Sequence, residues 1–151
     1  MDEKIADRMR RLCSLREYCS NDIQKKLTGL LDGDHAQVQE ILDMLVRERY
    51  VDDFRYACAF ARDKSSIAGW GAAKIRYALA SRKIPSSVIA QAIGQIETSR
   101  AQARLFRFME TKYRSLKDDP QCRIKMIRYA LGRGYDYETV TGILETLTES
   151  K

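Results

Sequence analysis

The spacing of apolar residues along the chain predicts helices throughout. One predicted helix carries apolar residues at i, i+3, i+4 and i+7, which places them on a single face: Val38, Ile41, Leu42 and Leu45. A longer predicted helix has a similar stripe: Leu105, Phe108, Met109, Tyr113 and Leu116. Asp34 precedes the first of these helices and can cap it, and Gln37 can close the cap. No segment alternates apolar and polar residues as a half-buried strand would, so we predict an all-α fold.

The pentapeptide IRYAL occurs twice, at Ile75–Leu79 and at Ile127–Leu131. With one deletion, the similarity continues through the turn that follows each copy and into the next helix. A weaker third copy places Ile23 and Leu27 at the positions of Ile75 and Leu79. The chain is therefore interpreted as an array of similar helical units.

A helix leads each copy, around Leu12, Tyr56 and Leu105, so each unit has three helices. The expected units are residues 1–53, 54–96 and 97–151, in one continuous array. A unit of this size leaves an apolar face uncovered unless it packs on its neighbour. We therefore expect three tandem three-helix repeats, stacked into an elongated, curved array.

Composition narrows the classes of protein further. No apolar run is long enough to span a membrane, and no signal peptide follows the charged start, so we expect a cytoplasmic protein without membrane association. The four cysteines are widely spaced and include no C-x-x-C pair, and His35 is the only histidine that could join them as a metal ligand. Neither a zinc site nor a disulfide framework is predicted, and the thiols are expected to be small apolar residues of helices.

Motifs for cofactor binding and catalysis are incomplete. The segment GWGAAK, which begins at Gly69 and Gly71, resembles the start of a dinucleotide-binding loop, but Lys74 stands where the third glycine is needed. The polar segment before it does not resemble a buried strand, so a turn followed by a helix is favoured. No P-loop motif is present, and His35 is expected to be a solvent-facing residue at a helix start. We predict no cofactor, no metal and no catalytic residue.

The segment Tyr50-Val51-Asp52-Asp53 has the aspartate pair that holds metal ions in template-copying polymerases. A metal-dependent nuclease or polymerase would need more acidic ligands than this turn supplies. We interpret the segment instead as a turn between helices. Asp52 is then the N-cap of the following helix, and Asp53 lies in its first turn.

Charge is distributed unevenly over the three units. Residues 1–53 carry a net charge of −3, residues 54–96 one of +6 and residues 97–151 one of +3. Arg55 and Arg62 are expected to share one helix face, and Arg76 and Lys83 another. Such a surface suits nucleic-acid phosphates and bases or an acidic protein groove, although a merely solvated face is an equally good interpretation.

Residues 50–84, YVDDFRYACAFARDKSSIAGWGAAKIRYALASRKI, resemble the signature of the RecX regulatory proteins. That signature has an aromatic-aliphatic-Asp-Asp turn, an aromatic-Ala helix, a basic loop with a G-x-G element, and a helix that ends in a basic residue and an isoleucine. The segment SLREYCSNDIQKKL resembles the preceding repeat of the family, so the resemblance covers most of the chain.

This resemblance implies a non-enzymatic regulator of the RecA recombinase. Such proteins bind along the groove of the RecA filament on single-stranded DNA and inhibit its ATP hydrolysis, strand exchange and coprotease activity, which affects recombination, DNA repair and the SOS response. We expect a monomer that contacts the filament and also DNA phosphates. The residues predicted to supply the contact surface are Arg55, Arg62, Lys64, Trp70, Lys74, Arg76, Tyr77, Arg82 and Lys83. The predicted turn and cap residues are Tyr50, Asp52, Asp53, Gly69 and Gly71.

A second interpretation is a helical-repeat module that binds nucleic acid directly, which the calculated pI of about 9.2 permits. Its binding to naked DNA would weaken steeply with salt and would need no protein partner.

Overall fold

The computed structural model describes residues 1–149, and this range contains nine α-helices and no strand. The helices are α1 (Glu3–Leu15), α2 (Ser20–Leu30), α3 (His35–Arg47), α4 (Asp53–Ser66), α5 (Ala72–Ser81), α6 (Ser86–Gly94), α7 (Thr98–Leu116), α8 (Cys122–Gly132) and α9 (Tyr137–Glu149). They form three consecutive sets of three, which confirms the predicted all-α fold built from three-helix repeats. No helix within residues 1–149 is long and apolar enough to cross a membrane.

The chain divides into two compact units. The first contains Met1–Ala59 and Leu79–Ala92, and the second contains Phe60–Ala78 and the chain from Ile93 onward. The repeat boundaries predicted after residues 53 and 96 lie at the start of α4 and between α6 and α7. We keep those boundaries as a proposal.

The core of the first unit is built on the predicted face of α3. All four apolar residues of that face are buried, and they pack against buried residues of α1 and α2, among them Met9, Ile23 and Leu27. Asp34 caps α3 as predicted, because its carboxylate accepts a hydrogen bond from the Gln37 N–H at 3.2 Å. Ile23 and Leu27 are fully buried, as Ile75 and Leu79 are, which agrees with the weak third copy of the repeat.

Cys13 and Cys19 are buried in the first unit. Burial raises the pKa of the Cys19 thiol to about 11. This thiol is therefore protonated at neutral pH and is a packing residue rather than a nucleophile.

The two aspartates of the α3–α4 turn cap two different helices. The Asp52 carboxylate accepts from the Arg55 N–H at 3.0 Å, at the start of α4. The Asp53 carboxylate accepts from both the N–H and the hydroxyl of Ser20, at 2.7 and 2.6 Å. Cys19, the N-cap residue of α2, makes no side-chain capping bond. Asp53 thus caps α2 from a position 33 residues away in the sequence.

The two IRYAL pentapeptides are not equivalent in the structure. Ile75 and Leu79 are fully buried in α5, whereas the buried residues of α8 are Met126 and Ala130, each one residue before the predicted partner. The turn hydrogen bonds agree with this shift, since Leu79 O accepts from the Ile84 N–H as Ala130 O accepts from that of Tyr135. The predicted alignment of the pentapeptides is therefore wrong by one residue. When Leu79 is aligned with Ala130, the two repeats match without a deletion, because the residues after the turn are already aligned with the same offset.

In the second unit, the α4–α5 loop meets the turn between α8 and α9 through backbone atoms. The Gly71 N–H donates to Arg133 O at 2.6 Å, and the Ala73 N–H donates to Gly134 O at 3.1 Å. A Cβ atom on Gly71 would lie 2.5 Å from the carbonyl carbon and oxygen of Gly134. Gly134 has φ +95°, and a Cβ there would lie 2.5 Å from the backbone N and the Cβ of Lys74. We call this contact the glycine clamp; it requires glycine on both sides for lack of space.

Replacing Asp53 by Ala should lower the stability of the first unit by about 1–2 kcal/mol, because the Ser20 N–H and hydroxyl lose their shared acceptor. Asp52→Ala removes one capping bond and should cost about 1 kcal/mol. Asp53→Asn keeps an acceptor oxygen and should recover part of the loss. Urea unfolding measures all three, and an Asp53→Ala protein as stable as wild type would contradict the cap.

Gly71→Ala should destabilise the second unit by about 1–3 kcal/mol, since the new methyl group meets backbone that has no room to move. The matched control is Gly142→Ala on α9, where a Cβ has nothing within 4 Å. That change should stabilise by about 0.4–1 kcal/mol, because Ala favours a helix interior over Gly. Thermal melts of the two variants should shift in opposite directions; equal shifts would count against the clamp.

Candidate partner-binding surface

An aromatic ring flanked by lysines lies at the α4–α5 loop. The Trp70 ring packs edge-on against Phe60, with 6.1 Å between the ring centroids and 73° between the planes. The Lys64 and Lys74 Nζ atoms lie 4.8 and 4.5 Å from the centroid of the Trp70 ring. We name Phe60, Lys64, Trp70 and Lys74 the Trp70 cluster. Each cation–π contact of this kind contributes about 0.5–1 kcal/mol at an exposed site.

Local sequence spacing explains much of this cluster. Phe60 and Lys64 are four residues apart on α4, which places them on the same helix face. The loop returns the chain to that face, because the Trp70 N–H donates to Lys64 O at 2.9 Å. Lys74 lies in the first turn of α5 and reaches back over the ring.

Side chains of the α8–α9 turn hold the loop carbonyls. The Arg133 guanidinium donates to Ala68 O at 2.7 Å, and the Tyr135 hydroxyl donates to Gly69 O at 3.1 Å. Burial raises the pKa of the Tyr135 hydroxyl, which keeps it protonated and able to donate. Gly69 has φ +69°, and a Cβ there would lie 2.5 Å from the Phe108 ring. The predicted turn glycines Gly69 and Gly71 are thus both in tight contact with the last three helices.

Further cations of the second unit lie near the cluster in sequence. Arg76 and Tyr77 are exposed on α5, and 79% of the Tyr77 surface is open to solvent. The Arg62 side chain is 71% exposed, with the Asp63 carboxylate 3.6 Å away. These residues add positive charge and an aromatic ring at the solvent boundary, where phosphates or carboxylates of a partner can approach.

A cavity of about 380 Å³ adjoins Trp70 in the same unit. Its apolar wall includes Ile93, Ile96 and the first residues of α5, while Arg76 and Asp136 supply charged groups. A mostly apolar hollow with a few polar groups is typical of a site that takes one anchoring group of a ligand.

The remaining three predicted contact residues belong to the first unit. Arg55 donates from Nε to the Glu17 carboxylate and from Nη2 to Tyr50 O at 3.3 Å. Its hydrogen bond to Glu17 raises the pKa of the Arg55 guanidinium. These contacts tie α4 to the α1–α2 connection and to the turn residue Tyr50.

Arg82 and Lys83 follow the end of α5. Arg82 hydrogen-bonds to the Tyr56 side chain, whose pKa is raised by burial. Lys83 has φ +59° and donates its N–H to Ala80 O at 2.9 Å, in the turn that ends the helix. Because α5 ends at Ser81, the face that Arg76 and Lys83 were expected to share does not form.

Sequence reasoning missed the residues that hold the loop. A glycine just after a helix, such as Gly134 after α8, is a local signal for the end of that helix. Nothing near Arg133 or Tyr135 in the sequence indicates that they bind a loop 65 residues away. Among residues 1–149, no three Cys, His, Asp or Glu side chains converge as a metal-binding group. The two aspartates of the α3–α4 turn accept hydrogen bonds from helix N-termini and the Ser20 hydroxyl instead.

Comparisons with known proteins agree with this architecture. A sequence model described as "RecX, second three-helix domain" matches residues 52–93. The solved structure of RecX from Lactobacillus salivarius superposes with a TM-score of 0.85 at 18% identity, over 97% of this chain and 96% of that one. Another RecX crystal structure gives a TM-score of 0.84 at 22% identity, over 95% of this chain and 71% of that one. At these identities the structural likeness establishes the fold.

Two relatives are similar in sequence over most of this chain. Regulatory protein RecX of Clostridium tetani is 24% identical over 121 residues, which cover 78% of this chain but 55% of the relative, so the chain spans about half the length of that protein. Regulatory protein RecX of Chromohalobacter salexigens is 30% identical over 132 residues, which cover 86% of this chain and 84% of the relative. With that identity over most of both chains, the protein belongs to the RecX family of regulatory proteins.

Proposed function

We propose that this protein is a non-enzymatic cytoplasmic regulator that binds the RecA filament on single-stranded DNA as a monomer. In this proposal it inhibits ATP hydrolysis, strand exchange and coprotease activity by RecA, and so modulates recombination, DNA repair and the SOS response. The observation that carries the proposal is the family membership, since the relative from Chromohalobacter salexigens is named as a regulatory protein and matches over 84% of its length.

The Trp70 cluster is the centre of the proposed contact surface. A large aromatic side chain with cations beside it is typical of the few residues that dominate binding energy in an interface. Lys64 and Lys74 supply charges that attract phosphates or carboxylates, while the Trp70 ring supplies apolar area. Arg62, Arg76 and Tyr77 extend this surface within the second unit.

Residues of the first unit are proposed to contribute in a different way. The Arg55 guanidinium forms an ion pair with the Glu17 carboxylate. We therefore propose that Arg55 mainly stabilises the start of α4. Arg82 and Lys83 lie at the end of α5, and we propose that they add to the positive charge of the protein, which raises the rate of encounter with an anionic filament.

Direct binding to nucleic acid is the second candidate, and the net charge of +6 favours it. The two proposals predict different relative affinities for RecA filament and for naked DNA. A filament regulator binds preformed RecA filament much more tightly than naked DNA at physiological salt, whereas a DNA-binding module shows no such preference.

Reversing two charges of the proposed contact surface, with Lys74→Glu and Arg76→Glu, should weaken inhibition of RecA ATPase. We expect the half-inhibitory concentration to rise by at least about tenfold, because two favourable charge contacts become repulsive and 1.4 kcal/mol corresponds to a factor of ten. The measurement is ATP hydrolysis by RecA on single-stranded DNA, at increasing concentrations of each variant.

The matched control is Lys4→Glu with Arg8→Glu on the exposed side of α1, which changes the net charge by the same amount. It should inhibit as wild type does and melt at the wild-type temperature, while the Lys74 and Arg76 variant should melt only slightly lower, because it loses a cation–π contact of about 0.5–1 kcal/mol. Unchanged inhibition by the Lys74 and Arg76 variant would overturn the proposed surface. Equal affinity of the wild-type protein for naked DNA and for filament would favour the DNA-binding module.

A further inference from the structure

A basic groove lies in the last three helices of the second unit, between α7 and α8. It is open to solvent, has a volume of about 400 Å³ and is lined by Lys112, Leu116, Lys125, Arg128 and Tyr129. We call it the α7–α8 groove. Three of its five lining residues are cationic and none is acidic, so the groove is a site of positive potential.

Two of these cations, Lys112 and Arg128, have no counter-ion in the part of the chain that the structure describes. Within residues 1–149, neither Lys112 nor Arg128 forms an ion pair, and Arg128 is exposed. Lys125 differs from them, because its Nζ atom lies 2.5 Å from the Asp119 carboxylate, at the entrance to α8. Lys112 and Arg128 are therefore the charges available to a ligand.

The aromatic ring of Tyr129 lines the groove. The Lys112 Nζ atom and the Arg133 guanidinium carbon each lie 5.1 Å from the centroid of the Tyr129 ring. The fold does not use this ring as a core residue, since Met126 and Ala130 form the buried face of α8. The one-residue shift of α8 relative to the pentapeptide match thus places Tyr129 beside the core and in the groove.

Arg133 connects the groove to the α4–α5 loop. Its guanidinium lies over both Tyr129 and Phe108, and the same group donates to Ala68 O at 2.7 Å. The Arg133 guanidinium thus lies between the Tyr129 ring of the groove and the loop that carries Trp70.

We propose that the α7–α8 groove binds the phosphodiester backbone of single-stranded DNA, with Lys112 and Arg128 as the phosphate contacts. Grooves that follow single strands combine cations for the backbone with aromatic rings, as this one does. A protein partner would need more apolar area than Leu116 and the Tyr129 ring provide. This inference rests on the proposed function, because the DNA that the groove would bind is the single strand inside the RecA filament.

The test uses naked DNA, so that it is independent of RecA. Fluorescence anisotropy of a labelled single-stranded oligonucleotide is measured with the full chain at 50 mM salt and at steps up to 200 mM. Lys112→Glu with Arg128→Glu should weaken binding at 50 mM by on the order of tenfold or more, because two phosphate contacts are lost and replaced by repulsion. The slope of log affinity against log salt should become shallower by roughly 1.4, since each contact to a single strand contributes about 0.7.

The control is again Lys4→Glu with Arg8→Glu, which has the same net charge and should bind the oligonucleotide as wild type does. Circular dichroism melts show whether each variant is folded, and Lys112→Gln with Arg128→Gln gives a milder pair without repulsion, which should still weaken binding and flatten the salt slope.

Three outcomes would overturn the inference. The groove variant could bind the oligonucleotide as tightly as the wild-type protein does, or both charge-reversed proteins could lose the same affinity. In the third, the wild-type protein binds polyglutamate more tightly than the oligonucleotide. The first would place DNA elsewhere, the second would make net charge the cause, and the third would indicate an acidic protein partner. A wild-type protein that binds DNA through the groove but leaves RecA ATPase unchanged would sink the proposed function and leave this inference standing.

Discussion

The second unit depends on the close approach of two glycines, Gly71 and Gly134. Their backbones lie so near each other that neither position has space for a Cβ atom. This proximity lets the Gly71 and Ala73 N–H groups reach the Arg133 and Gly134 carbonyls, which satisfies donors at the start of α5 that a helix cannot satisfy itself. The same approach brings the Arg133 and Tyr135 side chains onto the loop carbonyls. The position of Trp70, and with it the arrangement of two lysines over its ring, follows from that backbone contact.

The basic character of the chain has two physical uses that net charge does not distinguish. Arg55 and Arg133 are held by hydrogen bonds to other parts of their own units, and they stabilise turns and helix starts. Lys64 and Lys74 lie over an aromatic ring, where a cation keeps most of its ability to attract an anion. Cations of the second kind remain available to a partner, so the proposed contact surface does not include every basic residue of the run in the sequence.

The sequence predicted the parts of this structure that depend on local spacing. The buried face of α3, its Asp34 cap and the three-helix repeats all follow from periodicity and capping, which act within a few residues. Asp53 shows the limit of such reasoning: its partner Ser20 is 33 residues away, and no local pattern indicates it. The IRYAL pair shows another limit. Identical letters suggested equivalence, but burial and turn geometry decide which residues correspond, and both place Leu79 with Ala130. Arg133 was missed for the same reason as Ser20, since its role exists only once the chain has folded.

The α8–α9 turn holds the α4–α5 loop in one place, and amide hydrogen exchange measured by NMR provides a test of this contact. The Gly71 and Ala73 amides should exchange as slowly as core amides of α7 such as that of Met109, because all of them require opening of the unit as a whole. Exchange of the Gly71 and Ala73 amides orders of magnitude faster than that of Met109 would show that the loop detaches on its own, and would contradict the account.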